Sequence, residues 1–126
     1  LFVLDVGLLG AMSELPAESI LEGNDIFVEF KGALTEQYVL QQLISDTPYT
    51  PYYYGNEKAT FEQDFLIQKA KSIVPIEVKA EQNIRSHSLK TYCEKFQPEE
   101  AVRFSTLKYK EQERMVNIPL YAVCNL

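Results

Sequence analysis

One histidine and two cysteines stand among the 126 residues. Cys93 and Cys124 are too few for a disulfide scaffold and fit a reducing compartment. His87 with two distant cysteines does not make a zinc site, so it reads as a surface or capping residue. Basic side chains are missing altogether from the first 30 positions, which hold six acids: Asp5, Glu14, Glu18, Glu22, Asp25 and Glu29. No apolar run approaches ~20 residues, so no membrane-spanning helix is expected. G-x-x-x-x-G-K-[ST], G-x-S-x-G and glycine-rich dinucleotide motifs are all absent, which excludes a P-loop within these residues. The first residue is Leu1, and the apolar start lacks the basic segment of a signal peptide. These absences lead us to expect a segment of a longer, cytoplasmic protein with no membrane partner.

The composition present is that of a globular domain. The hydrophobic share is 46% and the charged share 24%, an ordinary balance for one domain of this length. The formal net charge of −6 comes entirely from the acidic first segment, because residues 31–126 carry equal numbers of acids and bases. An acidic whole argues against nonspecific phosphate binding, but the stretch 79–95 runs the other way, with Lys79, Arg85, Lys90 and Lys95 against Glu81 and Glu94.

Periodicity predicts a short strand at Leu1 to Leu4, one or two short helices, and a loop at Glu22-Gly-Asn-Asp25. Apolar residues at helical spacing predict a helix over Lys31 to Ser45. Pro48 and Pro51 precede an aromatic strand at Tyr52-Tyr-Tyr54, closed by Gly55-Asn56. Phe61 to Gln68 and Ile73 to Ala80 alternate around Lys69-Ala-Lys-Ser72 and predict a β-hairpin with a four-residue loop. A helix capped by Ser86 or Ser88 runs to about Phe96, before Pro98. Ala101 to Thr106 and Val116 to Val123 read as strands, the last near an edge because of Pro119. The order after residue 30 is helix, three strands, helix, strands, an α/β arrangement around one sheet.

The hairpin register sets Asp64 opposite Glu77 and Glu62 opposite Lys79. One face then carries Phe61, Phe65, Ile67, Val74, Ile76 and Val78, and the other gathers Glu62, Asp64, Glu77 and Lys79. Carboxylates directly across a strand pair repel, and a divalent cation between them would remove the conflict. Glu36 lies on the apolar stripe of the first long helix, among Ala33, Val39, Leu40 and Leu43. A carboxylate there needs a partner or a shifted pKa. If the stripe packs on the sheet, Glu36 points toward Asp64 and Glu77.

Glu36 on a helix, Asp64 on a strand and Glu77-Val-Lys79 on the next strand resemble the PD-(D/E)XK nuclease superfamily. More closely, Lys31-Gly-Ala-Leu-Thr-Glu36, Asp64-Phe-Leu-Ile67, Pro75-Ile-Glu-Val-Lys79, Ser86-His-Ser-Leu-Lys90 and Ile118-Pro-Leu-Tyr121 resemble a widespread prokaryotic domain of unknown function. That domain follows a P-loop (AAA-type) ATPase module in its parent proteins. The proline that gives the superfamily its name is replaced here by Gln63. The resemblance implies a restriction-endonuclease-like core, a central mixed sheet flanked by helices, over residues 31–126. Residues 1–30 would be an acidic extension and the ATPase module an N-terminal partner in the same chain. It also implies Mg²⁺ or Mn²⁺ held by Asp64, Glu77 and the Val78 carbonyl, with Lys79 and Glu36 completing the catalytic set. DNA phosphate would meet Arg85, Ser86 and Lys90.

Other readings stand beside these. Lys79 is either catalytic or half of a cross-strand ion pair with Glu62. Tyr49, Tyr52, Tyr53 and Tyr54 either stack on unpaired bases or simply build sheet. The domain is either a metal-dependent nuclease or a non-catalytic module that binds nucleic acid or protein and regulates the ATPase.

Overall fold

The computed structural model describes residues 2–22, 25–55, 61–80 and 87–126. Helix α1 (Val6–Met12) opens at Asp5, whose side chain accepts the Leu8 N–H at 2.7 Å, a regular N-cap. Helix α2 (Ala17–Glu22) and the long α3 (Asp25–Asp46) follow. The predicted loop narrows accordingly, since Glu22 ends one helix and Asp25 begins the next; Gly23 and Asn24 lie outside the described residues. Helix α3 starts six residues ahead of Lys31, because Asp25 to Phe30 contain no glycine or proline to stop it.

The strand predicted over Leu1 to Leu4 does not form among the described residues 2–4, and Leu1 lies outside them. Val3 instead gives its N–H to Gln37 Oε1 at 2.9 Å and its carbonyl to Gln37 Nε2 at 2.8 Å. A single side-chain amide on α3 thus satisfies both main-chain groups that a neighbouring strand would have taken. Gln41 Oε1 accepts the Val6 N–H in the same manner.

Among the described residues six strands make one mixed sheet in the order β1-β2-β3-β4-β6-β5. They are β1 (Tyr52–Tyr54), β2 (Gln63–Lys69), β3 (Ser72–Lys79), β4 (Ala101–Ser105), β5 (Lys110–Gln112) and β6 (Met115–Pro119). The β2–β3 hairpin has the expected register, from Lys69↔Ser72 to Phe65↔Ile76. Its loop is tighter than expected, two residues rather than four, with Ala70 in the left-handed region at φ 54°. Strands β3, β4 and β6 are parallel neighbours. Parallel neighbours need a return path: helix α4 (His87–Phe96) supplies the first, and β5, antiparallel to β6, supplies the second.

Sequence reasoning missed β5 and misplaced β6. Pro119 ends β6 in the sheet interior, beyond the residues that β5 pairs, so its missing N–H leaves that ladder intact. The chain then turns into a 3-10 segment (Leu120–Asn125) where the strand had been extended to Val123.

The core lies between α3 and one sheet face. Val39 and Leu43 meet Phe65, Ile67, Val74, Ile76, Val78, Val102, Phe104 and Ile118, with Val123 closing one end. Helix α4 covers part of the other side through Leu89 and Tyr92, and Tyr92 joins an aromatic cluster with Tyr54, Phe61 and Phe96. It ends at Gln97, at φ 48°, whose N–H reaches Cys93 O.

Candidate functional site

The β2–β3 ladder opens at Asp64. The paired residues stop at Phe65↔Ile76, and from there side chains of β2 take main-chain partners on β3. Gln63 Nε2 donates to Ile76 O at 2.8 Å and to Glu77 Oε2 at 3.2 Å. Asp64 Oδ2 accepts the Val78 N–H at 2.7 Å. The two strands therefore fork where the candidate carboxylates stand, instead of setting them in a closed cross-strand pair.

Glu77 is only 3% exposed, and Lys79 Nζ lies 2.6 Å from its Oε1. Lys79 thus pairs within its own strand, not with Glu62 as the register suggested. Glu62 falls just before β2 and accepts a hydrogen bond from the Tyr53 hydroxyl, which raises that phenol's pKa. The Tyr53 ring leans over Gly55: a Cβ there would stand 2.6 Å from the ring. A glycine is what lets the ring lie so close.

Burial dominates the electrostatics. It pushes the Asp64 carboxyl up to about 7, helped by the Glu77 charge and, to a lesser degree, Glu36; the Val78 N–H and Lys79 oppose the shift. Burial also raises the Glu36 pKa, with Lys79 opposing and Glu77 adding. Glu36, Asp64, Glu77 and Lys79, drawn from one helix and two strands, therefore feel one another's charge. Among the described residues no group of three or more His, Cys, Asp or Glu is set to hold a metal ion. Asp64 and Glu77, with the Val78 peptide between them, are the two carboxylates available for one.

Of the residues assigned to phosphate, Arg85 and Ser86 lie outside the described residues. Lys90 is on α4, exposed, 3.7 Å from Glu94. His87 begins α4 on the surface, and the Thr91 hydroxyl contacts its ring and donates to its carbonyl. Cys93 is half-buried on the same helix, and Cys124 is exposed on the 3-10 segment.

Two polar residues that sequence reasoning passed over extend the site across the sheet. Register sets Glu77 beside Arg103 and Arg103 beside Asn117. Arg103, 5% exposed, donates from Nε to Asn117 Oδ1 at 3.0 Å. Ser105 Oγ donates to the same oxygen at 2.7 Å, and Asn117 Nδ2 reaches Lys108 O at 3.0 Å. Burial lowers the Arg103 pKa and the nearby Glu77 charge counters it. The sequence signal was a repeated pattern: Ile76-Glu-Val78, Val102-Arg-Phe104 and Val116-Asn-Ile118 each put one polar residue between two apolar ones.

Comparison with curated proteins and with solved structures gives no match. The family model described as a domain of unknown function, DUF4143, matches residues 31–123, a span that holds α3 from Lys31 onward and every strand of the sheet. The chain belongs to the DUF4143 family.

Proposed function

We propose that this domain hydrolyses DNA phosphodiesters with the help of Mg²⁺ or Mn²⁺, as a restriction-endonuclease-like core of the PD-(D/E)XK kind. The observation that carries the reading is the β2–β3 fork. It leaves Asp64 on the Val78 N–H and within electrostatic reach of Glu77, with Lys79 on Glu77 and Glu36 also in reach. Three carboxylates share one neighbouring lysine there, and Asp64 holds its proton up to about pH 7. A divalent cation is the natural counter-charge for such a set, and Asp64, Glu77 and the Val78 carbonyl would hold it. Bound, the ion would polarise the phosphoryl oxygen and make a water acidic enough to attack near neutral pH.

The chain's own residues divide the remaining work. Lys79 carries a positive charge to the scissile phosphate and orients the attacking water. Glu36, whose pKa burial raises, would hold a second metal ion or a metal-bound water. Asp64 loses its proton before it binds a cation, so cation binding weakens below pH 7. In this reading an ATPase module preceding the domain in the same chain gates the reaction.

A second reading is a non-catalytic module that binds nucleic acid or protein. One observation favours it: both Glu77 oxygens already have partners, Lys79 on one and Gln63 on the other. A nuclease assay on the full-length protein in Mg²⁺ and in Mn²⁺, with and without ATP, separates the two. We expect cleavage that Lys79→Ala abolishes while the fold is kept. Cleavage that survives Lys79→Ala, or no cleavage under any condition, overturns the hydrolytic reading.

A further inference from the structure

Gln63 opens β2 where the two strands fork, and it is fully buried. Its Nε2 donates to the Ile76 carbonyl at 2.8 Å and to Glu77 Oε2 at 3.2 Å. The other end of the same amide, Oε1, is buried and meets no hydrogen-bond donor among the described residues. Turning the amide over would set that oxygen against two acceptors, so the nitrogen end must face Glu77. A buried acceptor without a donor costs stability, and an apolar side chain of like size would fill the space without that cost. Glu77 is thus gripped on both oxygens, by Lys79 at 2.6 Å on Oε1 and by Gln63 on Oε2. The two grips differ in kind. The Lys79 ammonium cancels the charge a cation would meet, whereas Gln63 is a neutral donor and leaves that charge in place. An ionised carboxylate has about four acceptor sites, so two partners still leave room for a cation.

We infer that Gln63 is a positioning residue of the candidate cation site. Its amide, clamped on the Ile76 carbonyl, keeps the buried Glu77 carboxylate in place for a cation once Lys79 has turned to a phosphate. The inference rests on the hydrolytic reading above and adds to that site a residue that touches neither metal nor substrate. Hydrogen bonds to a ligating carboxylate sustain metal affinity by fixing its orientation. Gln63 is suited to that task because its anchor is main chain of the same strand that carries Glu77. Movement of Lys79 therefore leaves the grip on Oε2 intact.

The test is Mn²⁺ binding, read from the electron paramagnetic resonance signal of the free ion, by the wild-type chain and its variants at pH 8. Gln63→Met keeps the bulk and removes the amide, and should weaken Mn²⁺ binding about 10- to 100-fold. Gln37→Leu loosens the first residues and leaves the fork untouched, so it should bind Mn²⁺ as the wild type does. That comparison separates positioning from general loss of stability. In cleavage assays Gln63→Met should recover turnover when Mn²⁺ is raised in proportion, whereas Lys79→Ala should not. Should Gln63→Met fail to fold, the wild type carries the test. Mg²⁺ titrated into the nitrogen-15-labelled chain should shift the Gln63 side-chain amide signals together with the Val78 N–H signal. Full Mn²⁺ affinity in Gln63→Met, equal weakening in Gln37→Leu, or Gln63 signals indifferent to Mg²⁺ each overturn the role of Gln63 and leave the hydrolytic reading standing. No Mn²⁺ binding by the wild type overturns both. Binding that falls only in Gln63→Met, with no cleavage by any chain, keeps the role of Gln63 and removes the hydrolysis.

Discussion

Replacing Asp64 by asparagine removes one charge from the forked strands and keeps an oxygen for the Val78 N–H. The folded-state carboxyl sits at about 7 against an ordinary 3.8, raised by burial and then by Glu77. The native state therefore binds this proton more tightly than the unfolded chain does. Stability from Asp64 is complete below pH 3.8, falls through the window up to about pH 7, and is gone above it. At 1.36 kcal/mol per unit the loss is at most roughly 4 kcal/mol. Relaxation around the charge makes 1–3 kcal/mol the range to expect, on the order of other buried-charge effects. Asp64→Asn escapes the loss, so it should match the wild type near pH 4 and exceed it at pH 8. In thermal melts that difference is a rise of roughly 3–10 °C at pH 8. Mn²⁺ at pH 8 should restore wild-type stability by binding only the folded state, and should do little for the variant. Melts at pH 4, 6 and 8, in EDTA and in Mn²⁺, carry the whole test. A variant less stable than the wild type at every pH would mean that Asp64 acts only as a hydrogen-bond acceptor, and the electrostatic argument would be refuted.

Two further expectations concern the fold. Ala70 holds a left-handed conformation in the hairpin turn, which costs a non-glycine residue about 1 kcal/mol or more; Ala70→Gly should stabilise the domain by about 0.5 kcal/mol after its greater unfolded-state entropy, and denaturant melts showing a loss would contradict this. Gln37→Leu leaves the Val3 N–H and carbonyl without their shared partner and should cost about 1–3 kcal/mol. Amide exchange should show it as lost protection confined to the first residues and their contact with α3.

Local alternation alone carried the β2–β3 hairpin. Side chains on a strand repeat every second residue, so one apolar face admits a single register, and Asp64 and Glu77 came together without any tertiary information. Helix α3 was legible in its second half for the same reason, with Val39 and Leu43 on the buried stripe. Sequence did not show how the ladder ends. Its opening at Asp64 depends on Gln63 and Asp64 bonding to β3 main chain, and alternation is blind to side chains that replace ladder bonds.

The apolar Leu1 to Leu4 looked like a strand because a short apolar run has no period to distinguish it. Whether it pairs with a strand or with the Gln37 amide was decided only by where α3 came to rest. Pro119 pointed to an edge, yet the edge belongs to β5, whose Lys110-Glu-Gln112 carries no apolar signal at all. Arg103 and Asn117 lay furthest from reach. Their place in one row with Glu77 depends on the parallel register β3-β4-β6, which forms across a helical crossover and a returning strand. Registers between strands joined in that way are set by packing of the whole sheet against α3 and α4, and no local pattern encodes them. The chain's own alphabet thus determined which residues bear charge amid apolar neighbours. Only the assembled sheet, by burying them in one row, decided that those charges would act on one another.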